Sequence, residues 1–177
     1  KESQLIEYVC KPWVVAGSIT ELSGKIKLAG KTTFVTNLCS AVTKGEAFLG
    51  HLTAQRPVIY MTEQPKPSFR EALRRARLTE QKNFYAVFHN ETRENSWSEL
   101  VDKVVDKAIE LNALIVVDTL PQFASIKGDG ENNTGEALSA MEPLQVASSK
   151  GLGVIVIRHE RKSGGDLGDS ARGSSAF

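Results

Sequence analysis

Ser23-Gly24-Lys25-Ile26-Lys27-Leu28-Ala29-Gly30-Lys31-Thr32-Thr33 is the stretch that decides how this chain reads. Ahead of it, Ile19-Thr20-Glu21-Leu22 alternates as a short strand does; behind it, residues from about Lys31 to Lys44 read as a helix that Gly45 stops. Strand, glycine-containing loop, Gly-Lys-Thr and helix together make the context of a phosphate-binding loop. A phosphate chain is several negative oxygens in a row. The first turn of a helix offers unpaired N–H groups and the positive end of its dipole, and glycine lets the backbone come close. Lys31 is then placed to reach the outer phosphates, and the Thr32 hydroxyl to bind magnesium.

The spacing departs from the standard one. Five residues, not four, separate Gly24 from Gly30, and position 25 holds a lysine where the first glycine belongs. Either the loop carries a one-residue insertion or it turns without its first glycine. The Gly30-Lys31-Thr32-Thr33 end is intact.

Three more apolar runs end in polar groups. Residues 57–63 form a run that stops at Glu63, followed by Gln64-Pro65-Lys66-Pro67, which reads as a stiff loop. Ala113-Leu114-Ile115-Val116-Val117-Asp118 is an unbroken β-branched run, the mark of a strand buried on both faces. Its terminal Asp118 is the carboxylate of a Walker B pattern, which holds magnesium directly or through water. Residues 153–159 form another buried strand, ending in Arg158-His159. Asn83 to Phe88 adds a further strand.

Helices separate these strands. Ser68 to Arg77 reads as a basic helix with Ser68 as cap and Glu71 at the capping-box position, and Arg70, Arg74 and Arg77 recur along it. Asn95 to Leu111 is amphipathic, with Trp97, Leu100, Val101, Val104, Val105 and Ala108 on one side. Leu120 to Asn133 reads as a polar loop. Thr134 to Lys150 reads as mostly helical, with Pro143 expected to kink it or restart it. Residues 1–17 are a lead-in broken at Lys11-Pro12, with Trp13 packing at the domain edge. Residues 160–177 read as a mobile, Gly-rich basic tail. Alternating strands and helices predict one α/β domain, a mainly parallel sheet with helices on both faces, whose strand ends carry Lys31, Glu63, Asp118 and His159 to one edge.

Composition narrows the partners. The 177 residues carry a net charge of +1 and 41% apolar content, so no global field draws the protein to nucleic acid or membrane. Two cysteines, Cys10 and Cys39, make no disulfide framework and suit a reduced, cytoplasmic setting. No run approaches the ~20 apolar residues that span a bilayer.

These residues resemble the RecA-like P-loop ATPases, from about residue 14 onward, and most of all the branch of RepA-type plasmid replicative helicases. The loop is similar to a Gly-Lys-x-Lys-x-Gly-Lys-Thr pattern with one added residue, so Gly24, Lys25, Lys27, Ala29, Gly30, Lys31, Thr32 and Thr33 fall at nucleotide-binding positions. The resemblance implies ATP and Mg2+ as ligands, with Thr32 and Asp118 on the metal. It implies Glu63 as the catalytic glutamate, His159 as a γ-phosphate sensor, and Lys31 as the cation that takes up transition-state charge. Residues 172–175 are similar to a family Arg-Gly-Ser-Ser segment. The resemblance also implies further strands beyond Phe177, a truncated core, and assembly into a homo-oligomeric ring such as a hexamer. Within such a ring Arg161, Lys162 or Arg172 would reach a neighbour's nucleotide. The function so implied is the motor core of a DNA replication or recombination helicase, with single-stranded DNA at loops 120–133 and 160–172. A KaiC-like regulatory switch and a nucleotide-binding module without hydrolysis are the alternatives, and the near-neutral charge leans toward the switch.

Overall fold

The computed structural model describes residues 6–25, 30–126 and 134–160. The chain opens with an antiparallel ribbon, β1 (Tyr8–Cys10) and β2 (Val14–Val15). It then alternates through β3 (Ile19–Lys25), α1 (Lys31–Lys44), β4 (Val58–Thr62), α2 (Lys66–Arg75) and β5 (Phe84–Phe88). A 3-10 turn at His89–Glu91 leads to α3 (Trp97–Leu111), β6 (Leu114–Asp118), α4 (Leu120–Phe123), α5 (Thr134–Ser149) and β7 (Val154–Glu160). The main sheet is parallel throughout, in the order β3-β7-β6-β4-β5. This is the α/β architecture that the alternation of runs implies.

Residue chemistry explains the layers. Successive strand side chains point to opposite faces. Ile59, Met61, Ile115, Val117, Val154 and Val156 therefore pack with α3, α4 and α5. Their neighbours Val58, Tyr60, Leu114, Val116, Ile155 and Ile157 pack with α1, α2 and the β1–β2 ribbon. Every residue of β4 and β6 is buried. Each such side chain contributes about 1.5–3 kcal/mol of transfer free energy, which is why a sheet covered on both faces tolerates no polar alternation.

Helix ends follow capping chemistry. Gly45 closes α1 at φ 69°, a left-handed conformation that costs glycine little, and its N–H reaches the Ala41 and Val42 carbonyls. Ser96 and Glu99 form a reciprocal capping box at the start of α3, and Asn112 ends it in the left-handed region. Arg56, buried at the amino end of the sheet, pairs with Glu7 and donates to Asn112 Oδ1 at 2.6 Å, tying the lead-in to the end of α3.

The structure departs from several of these readings. Helix α2 begins at Lys66, two residues before Ser68, with Pro65 at the cap position and no side-chain cap. Pro67 does not bar this, because a proline in the first turn lacks only an N–H the helix would leave unpaired. Glu71 forms no capping box; it binds Arg74 and Arg75 at 2.8 and 2.9 Å. Arg77 lies beyond the helix at φ 56°. Strand β3 runs to Lys25, so Gly24 is a strand residue opposite His159 rather than part of the loop. The segment after Asp118 opens with one helical turn, α4, because Leu120 and Phe123 are both buried against the core. Helix α5 passes through Pro143 as one element, so no new helix starts there. Its missing N–H costs a single bond, while Ala140, Met141, Leu144 and Ala147 on either side keep the helix on the sheet.

Trp13 sits at the domain edge as expected, 40% exposed, with its ring edge-on to Phe48 and His51.

Candidate functional site

The carboxyl ends of β3, β4, β6 and β7 lie side by side, and parallel crossovers put the loops with chemistry there. At the amino end of α1, Gly30 is the cap residue at φ 63° and ψ 17°, with no side-chain cap. A backbone turned this way suits an anion whose oxygens meet the first-turn amides. Lys31, the first residue of α1, is 8% exposed, and its Nζ donates to the Gly24 carbonyl at the end of β3. The lysine thus bridges the two sides of the loop. Thr33 is exposed one position on from the half-buried Thr32.

Thr32 meets Asp118 across 86 residues of sequence: its Oγ1 donates to Asp118 Oδ2 at 3.4 Å. Asp118 is 4% exposed at the end of β6. The neighbouring strand end belongs to β4, where the Glu63 N–H donates to the Asp118 carbonyl at 2.9 Å. That bond fixes the Glu63 backbone beside Asp118 while the Glu63 side chain stays exposed. Lys31, Thr32, Glu63 and Asp118 are therefore brought together. His159 continues β7 two residues past Ile157, the partner of Asp118, so its backbone lies at the same end of the sheet. Lys25 closes β3 opposite Glu160. Lys27 and Ala29 in the loop, and Arg161, Lys162 and Arg172, lie outside the described residues, as do residues 127–133 and the Arg-Gly-Ser-Ser segment.

Two site residues escape a reading of the sequence. Tyr60 Oη donates to Asp118 Oδ2 at 2.8 Å from the middle of β4. Burial, and after it the adjacent Asp118 charge, push the Tyr60 phenol well above its ordinary range, so it stays a donor. A tyrosine in a run buried on both faces must find a polar partner, and that was the available signal. Gln64 donates from Nε2 to Thr32 Oγ1 at 3.0 Å, and nothing local marks it. A cleft of about 290 Å³ adjoins these residues, lined by Thr33, Asn37, Gln64, Ser68 and Arg75.

The donor set bears on the metal. Among the described residues no group of three or more His, Cys, Asp or Glu side chains could hold an ion. One carboxylate and one hydroxyl instead match magnesium, which keeps its waters and takes the rest of its oxygens from substrate phosphates. Thr32 and Asp118 fit that cation.

A parallel sheet with an anion-binding helix end, a lysine in its first turn and a strand-end aspartate facing the next threonine defines a P-loop nucleotide-binding ATPase core. The family can be stated more closely: a model described as an AAA domain matches residues 2–165, and the chain belongs to that family. No curated protein matches the chain. Among the described residues no helix is long and apolar enough to cross a membrane.

Proposed function

We propose that this chain binds MgATP at the Lys31–Thr32–Asp118 corner and hydrolyses it. The observation that carries the reading is the Thr32–Asp118 contact beside Glu63, three elements converging on one point at the sheet's carboxyl edge. The Glu63 carboxylate takes a proton from water as the water oxygen bonds to the γ-phosphorus; the bond from that phosphorus to the ADP oxygen breaks in line. Lys31 stabilises charge on the phosphoryl oxygens. Magnesium, which Thr32 and Asp118 would hold, would supply further neutralisation of phosphate charge. His159 reports the state of the γ-phosphate to the segment that follows it.

The biological role we infer is the motor core of a helicase of the RepA-type branch, assembled as a homo-oligomeric ring with single-stranded DNA. Support comes from the resemblance of the motifs and from a cleft of about 470 Å³ beyond Asp118. It is lined by the exposed Arg93 and the half-buried His89 and Trp97 among others, and a cation beside aromatic rings is what single-strand sites use. A regulatory ATPase is the second reading, favoured by the net charge of +1.

The test is ATP turnover measured with and without single-stranded DNA, with Lys31→Ala as control. Stimulation by DNA supports the motor. A rate indifferent to DNA supports the regulator. Binding without turnover would leave a nucleotide-binding module and sink the hydrolytic reading. Lys31→Ala should weaken ATP binding by about 10- to 100-fold, the value of charge-assisted bonds to a phosphate.

A further inference from the structure

The metal corner is held from two sides by residues that touch neither phosphate nor water in the scheme above. Tyr60 has no exposed surface, and its ring packs on Phe69 at 4.9 Å and Phe84 at 6.0 Å between centroids. A phenylalanine would fill the same space. What the tyrosine adds is a hydroxyl that crosses from β4 to the adjacent β6 and donates to Asp118 Oδ2 at 2.8 Å. Thr32 donates to the same oxygen. With two hydroxyls on one oxygen, rotation of the carboxylate is restricted and its orientation toward α1 is set.

Gln64 works from the opposite side. Its backbone N–H donates to Thr62 Oγ1 at 3.1 Å, which anchors the turn, and its side-chain amide donates to Thr32 Oγ1 at 3.0 Å. A hydroxyl oxygen has one proton and two lone pairs. In Thr32 the proton goes to Asp118 and one lone pair to Gln64, which directs the second lone pair. Four residues on α1, β4, the turn after it and β6 thus form one hydrogen-bonded chain: Tyr60, Asp118, Thr32, Gln64.

We propose that Tyr60 and Gln64 are positioning residues that clamp the Thr32–Asp118 pair in the orientation that takes a divalent cation with the nucleotide. The clamp rests on the reading of Thr32 and Asp118 as the metal pair. Partners that orient a ligating group from outside the coordination sphere typically change metal affinity or activity by ~10–100-fold when removed. A purely structural hydroxyl would instead affect folding and leave metal dependence alone.

The experiment titrates Mg2+ against binding of a fluorescent, non-hydrolysable ATP analogue to the full chain. It compares wild type, Tyr60→Phe, Gln64→Ala and Asp118→Asn, with thermal unfolding recorded for each. The expected result is a Mg2+ midpoint raised ~10-fold or more in both Tyr60→Phe and Gln64→Ala, with metal-free analogue affinity little changed. In turnover assays, excess Mg2+ should restore kcat. If Tyr60→Phe does not fold, Gln64→Ala, in a half-buried turn, carries the test. An unmoved midpoint in either folded variant, while Asp118→Asn abolishes the metal dependence, overturns the clamp at that residue and leaves the metal pair standing. Equal losses with and without Mg2+ would make the role structural and overturn it too. Wild-type binding indifferent to Mg2+ would remove the metal pair itself, and the clamp with it.

Discussion

Lys31 is 8% exposed, a costly place for an ammonium unless partners meet it. The Gly24 carbonyl is one such partner, supplied by the strand that precedes the loop. Gly24 and Lys31 are seven residues apart, so the loop closes on itself through the lysine. Glu63 is the opposite case: its backbone is pinned to Asp118 and its side chain is exposed. An exposed carboxylate beside a buried one suits a group that must accept a proton from water. Glu63→Gln should therefore bind MgATP as wild type does and lose ~10²–10⁴-fold in turnover, the usual contribution of a general base. Single-turnover kinetics at saturating MgATP measures this directly, and a variant that keeps its rate would assign the water to another residue. Lys31, Thr32, Glu63 and Asp118 were all legible in the sequence, because each stands where an apolar run or a glycine pair stops. Tyr60 and Gln64 were not, since their partners are distant in the chain.

The helices show which local rules decide boundaries. In α3 the capping box Ser96–Glu99 and the left-handed Asn112 set both ends, and the chain registers them within three or four residues. Ser96→Ala should destabilise the protein by ~1 kcal/mol, the ordinary cost of a lost cap, read as a shift of the urea midpoint at constant m-value. In α2 the same pattern, Ser68 followed by Glu71, does not cap. Arg74 and Arg75, the last two residues of the helix, draw Glu71 along it instead, at i+3 and i+4. Hydrogen bonds from Arg74, then Arg75, hold the Glu71 carboxyl down at about 2 against an ordinary 4.5. A depressed carboxyl stabilises the fold above its unfolded pKa and loses that contribution as pH falls through the folded one. The Glu71 share is thus complete above pH 4.5 and lost toward about pH 2. Comparing urea midpoints of wild type and Glu71→Gln across that window should show the two curves converging at the acid end.

At the scale of the molecule, β3 pairs with β7 on one side and, among the described residues, with no strand on the other. The phosphate loop therefore hangs from the outermost strand of the main sheet, next to β7, whose continuation enters the basic segment with Arg161, Lys162 and Arg172. In the ring proposed above, those cations serve the nucleotide of a neighbouring subunit. An arginine supplied in trans to a γ-phosphate raises hydrolysis by ~10³–10⁵-fold. Specific ATPase activity should then climb with protein concentration, and Arg172→Ala should flatten that climb while leaving nucleotide binding intact. Sedimentation with and without a non-hydrolysable analogue reads the assembly itself. A monomer in every condition, with activity per molecule independent of concentration, would make the segment solvated surface.

The class of fold follows from the amino-acid sequence alone. Continuous β-branched runs such as residues 114–117 commit those segments to strands covered on both faces, and the helical periodicity of residues 97–108 commits the intervening chain to a crossover. These are interactions over a few residues, so the sequence states them locally. Which strands become neighbours is a different matter. That β7 separates β3 from β6, that Asp118 meets Thr32 from 86 residues away, and that Tyr60 reaches Asp118 from 58 away are set by the packing of helices on the two faces. No local pattern encodes a contact between strand ends. It exists only once the two cores have closed around the sheet and brought the carboxyl ends of β4 and β6 into register, Thr62 beside Asp118.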